Sequence, residues 1–164
     1  MRRAVVGVMG GGDADPGVCR MARELGSLIA ARGWVLLNGG RNTGVMAASA
    51  RGAKEAGGTV IGVLPDRDAS AASPDLDYAI VTGLGDARNV INVLSSDVVI
   101  ACPGGAGTLS EVALALKSGK PVILLGFDAG PALEPYRTSG QLRSADSPAE
   151  AVALAAHLLD HPCF

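Results

Sequence analysis

The chain has 164 residues, a formal net charge of −2 and 18% charged residues, with a pI near 5.6. That length suits a single domain, 1–164, able to bury roughly two-thirds of the surface its unfolded form exposes. The acidic balance and scattered basic residues speak against nucleic acid or a membrane surface as partner. Twenty-three glycines stand against 3% aromatic residues in a chain that is 48% hydrophobic. The glycines therefore read as turns and as places of close backbone approach, not as disorder.

Residues 3–8 form the first expected strand, and Gly10, Gly11 and Gly12 follow it at once. A signal peptide needs a longer apolar region than this. Val18, Met21, Ala22, Leu25, Leu28 and Ile29 recur at helical spacing up to a stop at Gly33. A second strand, 34–37, runs into Gly39, Gly40, Arg41, Asn42, Thr43 and Gly44, and a helix over 45–56 and a strand over 59–64 come next. The segment 66–76 is rich in Pro, Ser and Asp and reads as a surface loop, with a short strand at 78–82 beyond it. A helix over 86–94 leads to a strand at 97–101, the loop from Pro103 to Thr108, a helix over 109–118 and a strand at 121–125. The segment 127–145 reads as a second surface loop. Ser147, Pro148 and Glu150 are placed as N-cap, N1 and N3 of a last helix over 148–159. Near-continuous apolar strands suit a parallel sheet covered on both faces. Their alternation with helices predicts a Rossmann-like, doubly wound α/β fold.

Three cysteines, Cys19, Cys102 and Cys163, have neither C-x-x-C spacing nor a histidine pattern beside them. No disulfide framework and no metal site is expected, no stretch reaches transmembrane length, and the expected setting is cytoplasmic.

Three strands end in glycine clusters. Together a strand, a glycine loop and a helix start present backbone N–H groups and a positive dipole end to an anion, although tight turns alone also use glycine. Two better-known phosphate signatures are absent. Asp15 stands where a dinucleotide fingerprint needs its third glycine, and the second strand ends at Asn38 in place of an acid. Gly119-Lys120 is followed by Pro121, so no P-loop is formed.

Several residues carry two readings. Thr108 and Glu111 have the spacing of a helix capping box as well as of a ligand contact. Arg88, Asn92 and Ser95 form a polar stripe opposite Val90 and Ile91 or Leu94, either a solvated face or a set of hydrogen bonds to a ligand or neighbouring subunit. The guanidinium of Arg41, inside a glycine loop, suits bidentate contact with phosphate. Cys102 reads as a buried strand terminus, Asp13 or Asp15 as a helix cap, and His157 and His161 as structural or exposed.

The residues Pro103, Gly104, Gly105, Ala106, Gly107, Thr108 and Glu111 match P-G-G-x-G-T-x-x-E. By that motif the chain resembles the LOG ("lonely guy") superfamily, which includes cytokinin-activating phosphoribohydrolases and molybdenum cofactor carrier proteins. The likeness runs up to about Gly126. Gly39, Gly40, Arg41, Thr43, Gly44 and Met46 fall on the family's second loop, G-G-G-x-x-G-L-M, with Arg41 in place of the third glycine. Arg88 resembles the arginine that works with the motif glutamate. The hydrolases typically carry Arg-Lys and Glu-Glu where this chain has Arg88-Asn89 and Ser110-Glu111, and residues 88–97 and 111–126 are similar to the carrier branch.

The resemblance implies a molybdenum cofactor (molybdopterin) carrier that holds its phosphorylated pterin on the Pro103–Thr108 loop. Gly10, Gly11, the second loop, Arg88, Asn92 and Glu111 complete the implied site. The alternative it implies is an AMP-like nucleotide cleaved with Arg88 and Glu111 as catalytic groups. Homodimers or homotetramers are implied in either case. A lysine decarboxylase has no support, since no pyridoxal-phosphate signature accompanies Lys54, Lys117 or Lys120.

Overall fold

Short apolar runs become strands here because both their faces are covered, and the glycines after them turn the chain into helices. The computed structural model describes residues 2–161; Met1 and residues 162–164, which include Cys163, lie outside them. In chain order come β1 (Val5–Met9), α1 (Pro16–Ala31), β2 (Val35–Asn38), α2 (Gly44–Glu55), β3 (Thr59–Leu64) and β4 (Tyr78–Val81). A 3-10 turn (Gly85–Arg88) leads into α3 (Asn89–Ser95), β5 (Val98–Ala101), α4 (Ala106–Lys117) and β6 (Val122–Leu125). After a second 3-10 turn (Pro131–Leu133) the chain closes with α5 (Glu134–Ser139), β7 (Leu142–Ala145) and α6 (Pro148–Asp160).

The seven strands form one sheet in the order β4-β3-β2-β1-β5-β6-β7. Every pairing in it is parallel, with Val6 level with Leu36 on one side and Val98 on the other. One core lies under α1, α2 and α6, where Leu25, Ile29, Val45 and Val152 meet Val6, Val8 and Ile100. The other lies under α3, α4 and α5, where Val93, Val112 and Leu116 meet Met9, Val63 and Val99. This is the doubly wound Rossmann-like fold expected. Asp15 caps α1 by accepting from the Val18 N–H at 3.0 Å. Ser147 caps α6 by accepting from the Glu150 N–H at 3.2 Å, while the Glu150 carboxylate accepts from the Asp146 N–H at 2.8 Å.

Two expectations are corrected. The helix expected over 86–94 is a 3-10 turn followed by the seven-residue α3. The segment 127–145 is not all loop, for it holds α5 and the edge strand β7. Only Leu142 and Ala145 of β7 are buried, so the strand carries too little apolar pattern to be read locally. Its entry is held from the core side, where the buried Gln141 donates to the carbonyls of Leu116 and Lys120 at 2.8 and 3.0 Å. Among the described residues no helix is long and apolar enough to cross a membrane.

Helices α1 and α2 touch backbone to backbone. A Cβ on Gly52 would lie 1.9 Å from the Arg23 carbonyl oxygen, and one on Gly26 would lie 2.1 Å from that of Ser49. Gly52→Ala gains up to about 1 kcal/mol of helix propensity, yet it forces the helices apart at a cost of about 1–3 kcal/mol beyond that gain. Urea denaturation is expected to show a lower midpoint with an unchanged slope.

Candidate functional site

The strand order reverses between β1 and β5, and in open α/β sheets ligands lie beyond the carboxyl ends of the strands at such a point. Three glycine loops meet there. The Gly11 N–H donates to the Pro103 carbonyl at 3.1 Å, and the Val45 N–H donates to the Gly11 carbonyl at 3.0 Å. A Cβ on Gly104 would lie 2.1 Å from Thr108 Oγ1 and 2.7 Å from the Gly11 nitrogen. One on Gly44, whose φ is +50°, would lie 2.1 Å from the Gly11 carbonyl oxygen. Packing of backbone on backbone accounts for these positions.

Gly105 and Gly107 are different. Gly105 has φ −90°, open to any residue, and a Cβ on either glycine meets nothing within 4 Å. Both line a cleft of about 200 Å³. Helix α4 begins beside it with Gly105 as N-cap and no side chain capping it, so its first N–H groups and positive dipole end are left to the cleft.

The far wall is polar. Glu111, 6% exposed on α4, accepts at Oε1 from Asn92 Nδ2 at 2.9 Å, within the fully buried part of α3. Arg88 Nη1 stands 3.8 Å from the same oxygen and donates to Asn89 Oδ1 at 2.6 Å. Gly39 makes room for that guanidinium, since a Cβ there would lie 2.8 Å from Arg88 Nη2 and 2.7 Å from the Met46 sulfur. Arg88 Nε and Asn92 Oδ1 are buried without a partner, a state that calls for explanation in a folded protein. Burial pushes the Glu111 carboxyl above the usual carboxylate range, with the Asn92 hydrogen bond and the Arg88 charge opposing. Burial likewise pulls Arg88 down, mainly against the pull of Glu111, and it remains a cation.

Of the expected residues, Gly10, Gly11, Gly39, Met46, Arg88, Gly105, Gly107, Thr108 and Glu111 line this cleft. Pro103 and Gly104 line an adjoining one that shares Gly11, Gly12 and Gly105 with it. Gly40 packs on Gly62 of β3. Thr43 and Gly44 line a separate hollow with Cys19, Arg20 and Arg51. Ala106 lies in the first turn of α4 outside the cleft lining, and Asn92 sits behind Glu111.

Arg41 turns one edge of its guanidinium to a carboxylate. It donates to Asp66 from Nε at 3.1 Å and from Nη2 at 2.7 Å. The loop 66–76 lies against it, with Asn42 N–H donating to the Ala71 carbonyl and Ser73 N–H to that of Gly40.

The capping box is corrected as well: Gly105 is the N-cap of α4, which leaves Thr108 and Glu111 inside the helix. The polar stripe of α3 points the other way from a solvated face. Arg88 and Asn92 turn inward, while Ser95, the third member of the expected stripe, is exposed and Val90 and Leu94 are 42% and 54% exposed. Cys102 is fully buried and its thiol is pushed up to about 12 by burial, as a strand terminus should be and a nucleophile should not. Val8, Met9, Gly12, Asp86 and Asn89 also line the cleft. Of these only Gly12 carried a sequence signal, its place in the first glycine cluster. Among the described residues no group of His, Cys, Asp or Glu is placed to hold a metal ion.

A parallel, doubly wound sheet with an open cleft at its switch point places the chain among the Rossmann-like proteins. Within that class it belongs to the SLOG cluster4 family, whose sequence profile it matches over residues 3–152. It is similar to the molybdenum cofactor binding protein from the phototrophic bacterium Rippkaea orientalis, with 53% identity and a TM-score of 0.91 over 97% of this chain and 99% of that one. The molybdenum cofactor carrier protein from Chlamydomonas reinhardtii is 48% identical, with a TM-score of 0.87 over 98% of this chain and 100% of that one. A cytokinin riboside 5′-monophosphate phosphoribohydrolase from Mycobacterium tuberculosis is 37% identical over 113 residues, 64% of this chain and 60% of that one.

The raised pKa of Glu111 has a consequence for stability. A carboxyl whose folded pKa exceeds its unfolded value, about 4.5, stabilises the fold fully only below that value, and the contribution is lost as pH rises through the folded pKa. Glu111→Gln removes this loss. Thermal melts of both proteins without ligand are expected to show the variant gaining on the parent as pH rises above about 4.5, the unfolded value, until the folded carboxyl has ionised. Each pKa unit is worth about 1.4 kcal/mol, or about 3–6 °C in a chain of this size.

Proposed function

We propose that this protein is a cytoplasmic carrier of molybdenum cofactor, holding the phosphate of the phosphorylated pterin on the N–H groups at the start of α4. The observation that carries the reading is the pair Gly105 and Gly107. A Cβ on either meets nothing within 4 Å, and glycine inside a helix, as Gly107 is, costs about 1 kcal/mol relative to alanine. The chain bears that cost where a ligand backbone contact needs bare approach. Gly10 and Gly11 close the other side, and Arg88 brings the cleft's only lining cation among its described residues. The likeness to the molybdenum cofactor proteins over nearly the whole chain favours this ligand over a nucleotide. Unpaired Cys19 and Cys102 fit a reducing compartment.

Gly105→Val is expected to weaken binding of a phosphorylated pterin by about 100-fold or more, about 2.8 kcal/mol, in calorimetric titration. Its melting temperature should fall by no more than the loss of a good N-cap residue, about 1 kcal/mol. Undiminished affinity in the folded variant places the phosphate elsewhere. Release of free adenine from AMP at enzymatic turnover by the parent protein would replace the carrier with the hydrolase.

We also propose self-association through the face of the sheet that bears α3 and α4. Tyr78 and Ile80 stand beside Ile61 and Val63 in the sheet register, and Val63 belongs to the core under that face. With Leu84, Val90, Leu94 and Leu109 they leave an exposed apolar surface of the kind that marks a protein interface. It borders the cleft through Arg88 and Thr108. Sedimentation at micromolar concentration is expected to show a dimer or tetramer, and the double substitution Val90→Lys, Leu94→Lys to yield the 16.4 kDa chain; a parent protein that sediments as that monomer refutes the interface.

A further inference from the structure

The carrier reading assigns the phosphate end of a ligand and leaves its ring unassigned. Glu111 lies five positions into α4 from Ala106, about 7–8 Å along the helix at 1.5 Å per residue. Its Oε1 is engaged by Asn92 at 2.9 Å and faced by Arg88 at 3.8 Å. Its Oε2 accepts no hydrogen bond from the described residues. An ionised carboxylate offers about four acceptor positions, so most of those on Glu111 are unfilled, and Oε2 is not among the buried atoms left without a partner, which leaves it open to the cleft that Glu111 lines. Asn92 holds the group from behind and fixes its orientation. The remaining walls include Met9 and Met46, whose thioethers pack well against a flat aromatic ring.

We propose that Glu111, positioned by Asn92, reads the 2-amino-4-oxopyrimidine edge of the ligand's heterocycle and so selects pterin- and guanine-type rings against adenine. This rests on the carrier reading and deepens it. The edge in question presents a ring N–H beside an exocyclic amino group, two parallel donors that match the two oxygens of one carboxylate. Hypoxanthine keeps the ring N–H but lacks the amino group. Adenine offers an amino group beside a bare ring nitrogen, whose lone pair faces the carboxylate and repels it. In a pterin the aminopyrimidine lies at the opposite end of the ring system from the substituent that bears the phosphate, as the separation of Glu111 from the start of α4 requires. A site built to pair donors rejects an analogue without them more sharply than it rejects a change in size.

Competitive titration with GMP, IMP, AMP and 6-(hydroxymethyl)pterin phosphate tests this, with inorganic phosphate as reference. The parent protein is expected to bind the pterin phosphate and GMP at least tenfold more tightly than IMP and AMP. Pterin phosphate separates from GMP by shape, because both carry the edge. In Glu111→Gln, checked for folding by its melting curve, the preference over IMP and AMP collapses to within about threefold while inorganic phosphate binds as before. Equal affinity of the parent protein for GMP, IMP and AMP overturns the edge assignment and leaves the phosphate site standing, as does a preference that survives in the folded Glu111→Gln. Failure of every phosphorylated compound to bind the parent protein overturns the carrier reading along with it. The comparison among ligands on the parent protein decides the question even if the variant does not fold.

Discussion

The site depends on backbone meeting backbone at the sheet switch point. The loops after β1 and β5 approach so closely that a Cβ on Gly104 would overlap Thr108 and the Gly11 nitrogen, and Gly44 sits directly over the Gly11 carbonyl. A side chain at any of these places would prise the loops apart and swing the start of α4 away from β1. The cleft exists because the loops lock without side chains, leaving Gly105 and Gly107 free to face outward. Two sets of glycines thus occupy one motif, one packed against other loops and the other with open space where a Cβ would stand.

The second loop turns out to be a scaffold for the first and third. Val45 ties it to Gly11, and Gly39 is bare because the Arg88 guanidinium and the Met46 sulfur fill the space beside it. Arg41 pairs with Asp66. That pairing lowers the Asp66 carboxyl from its ordinary value, chiefly through the hydrogen bonds from the guanidinium, and it fastens the strap formed by 66–76. Both partners are partly exposed, at 44% and 31% of their side chains, so the pair contributes modestly to stability while fixing where the strap lies.

Helix α3 lies between the cleft and an exposed apolar surface. Arg88, its N-cap, and Asn92 turn toward Glu111, while Val90 and Leu94 of its seven residues point outward, the reverse of an amphipathic helix on an isolated subunit. Burying Asn92 and most of a guanidinium costs desolvation that the hydrogen bond to Glu111 and the opposing charge offset. The outward apolar side is stable in water when a second surface covers it. A ligand that fills the cleft and a partner that covers α3 would therefore be bound by opposite sides of one short helix.

Strand positions, glycine loops and the caps at Asp15 and Ser147 were legible in the sequence because each depends on a few neighbouring residues: apolar runs, turn chemistry and N-cap spacing act within one window. The P-G-G-x-G-T-x-x-E stretch was equally legible, and with it the switch point where a ligand belongs. What only the tertiary structure decided rests on pairs distant in the chain. Asn92 meets Glu111 across 19 positions and Arg41 meets Asp66 across 25. The strand β7 is defined by its pairing with β6 more than by its own residues. Whether a glycine is needed for packing or for a ligand depends on which atom lies where its Cβ would be, and whether a polar stripe faces water or a carboxylate depends on the helix across from it. No local pattern encodes either, because the free energy that decides them comes from contacts the chain makes only once it has folded.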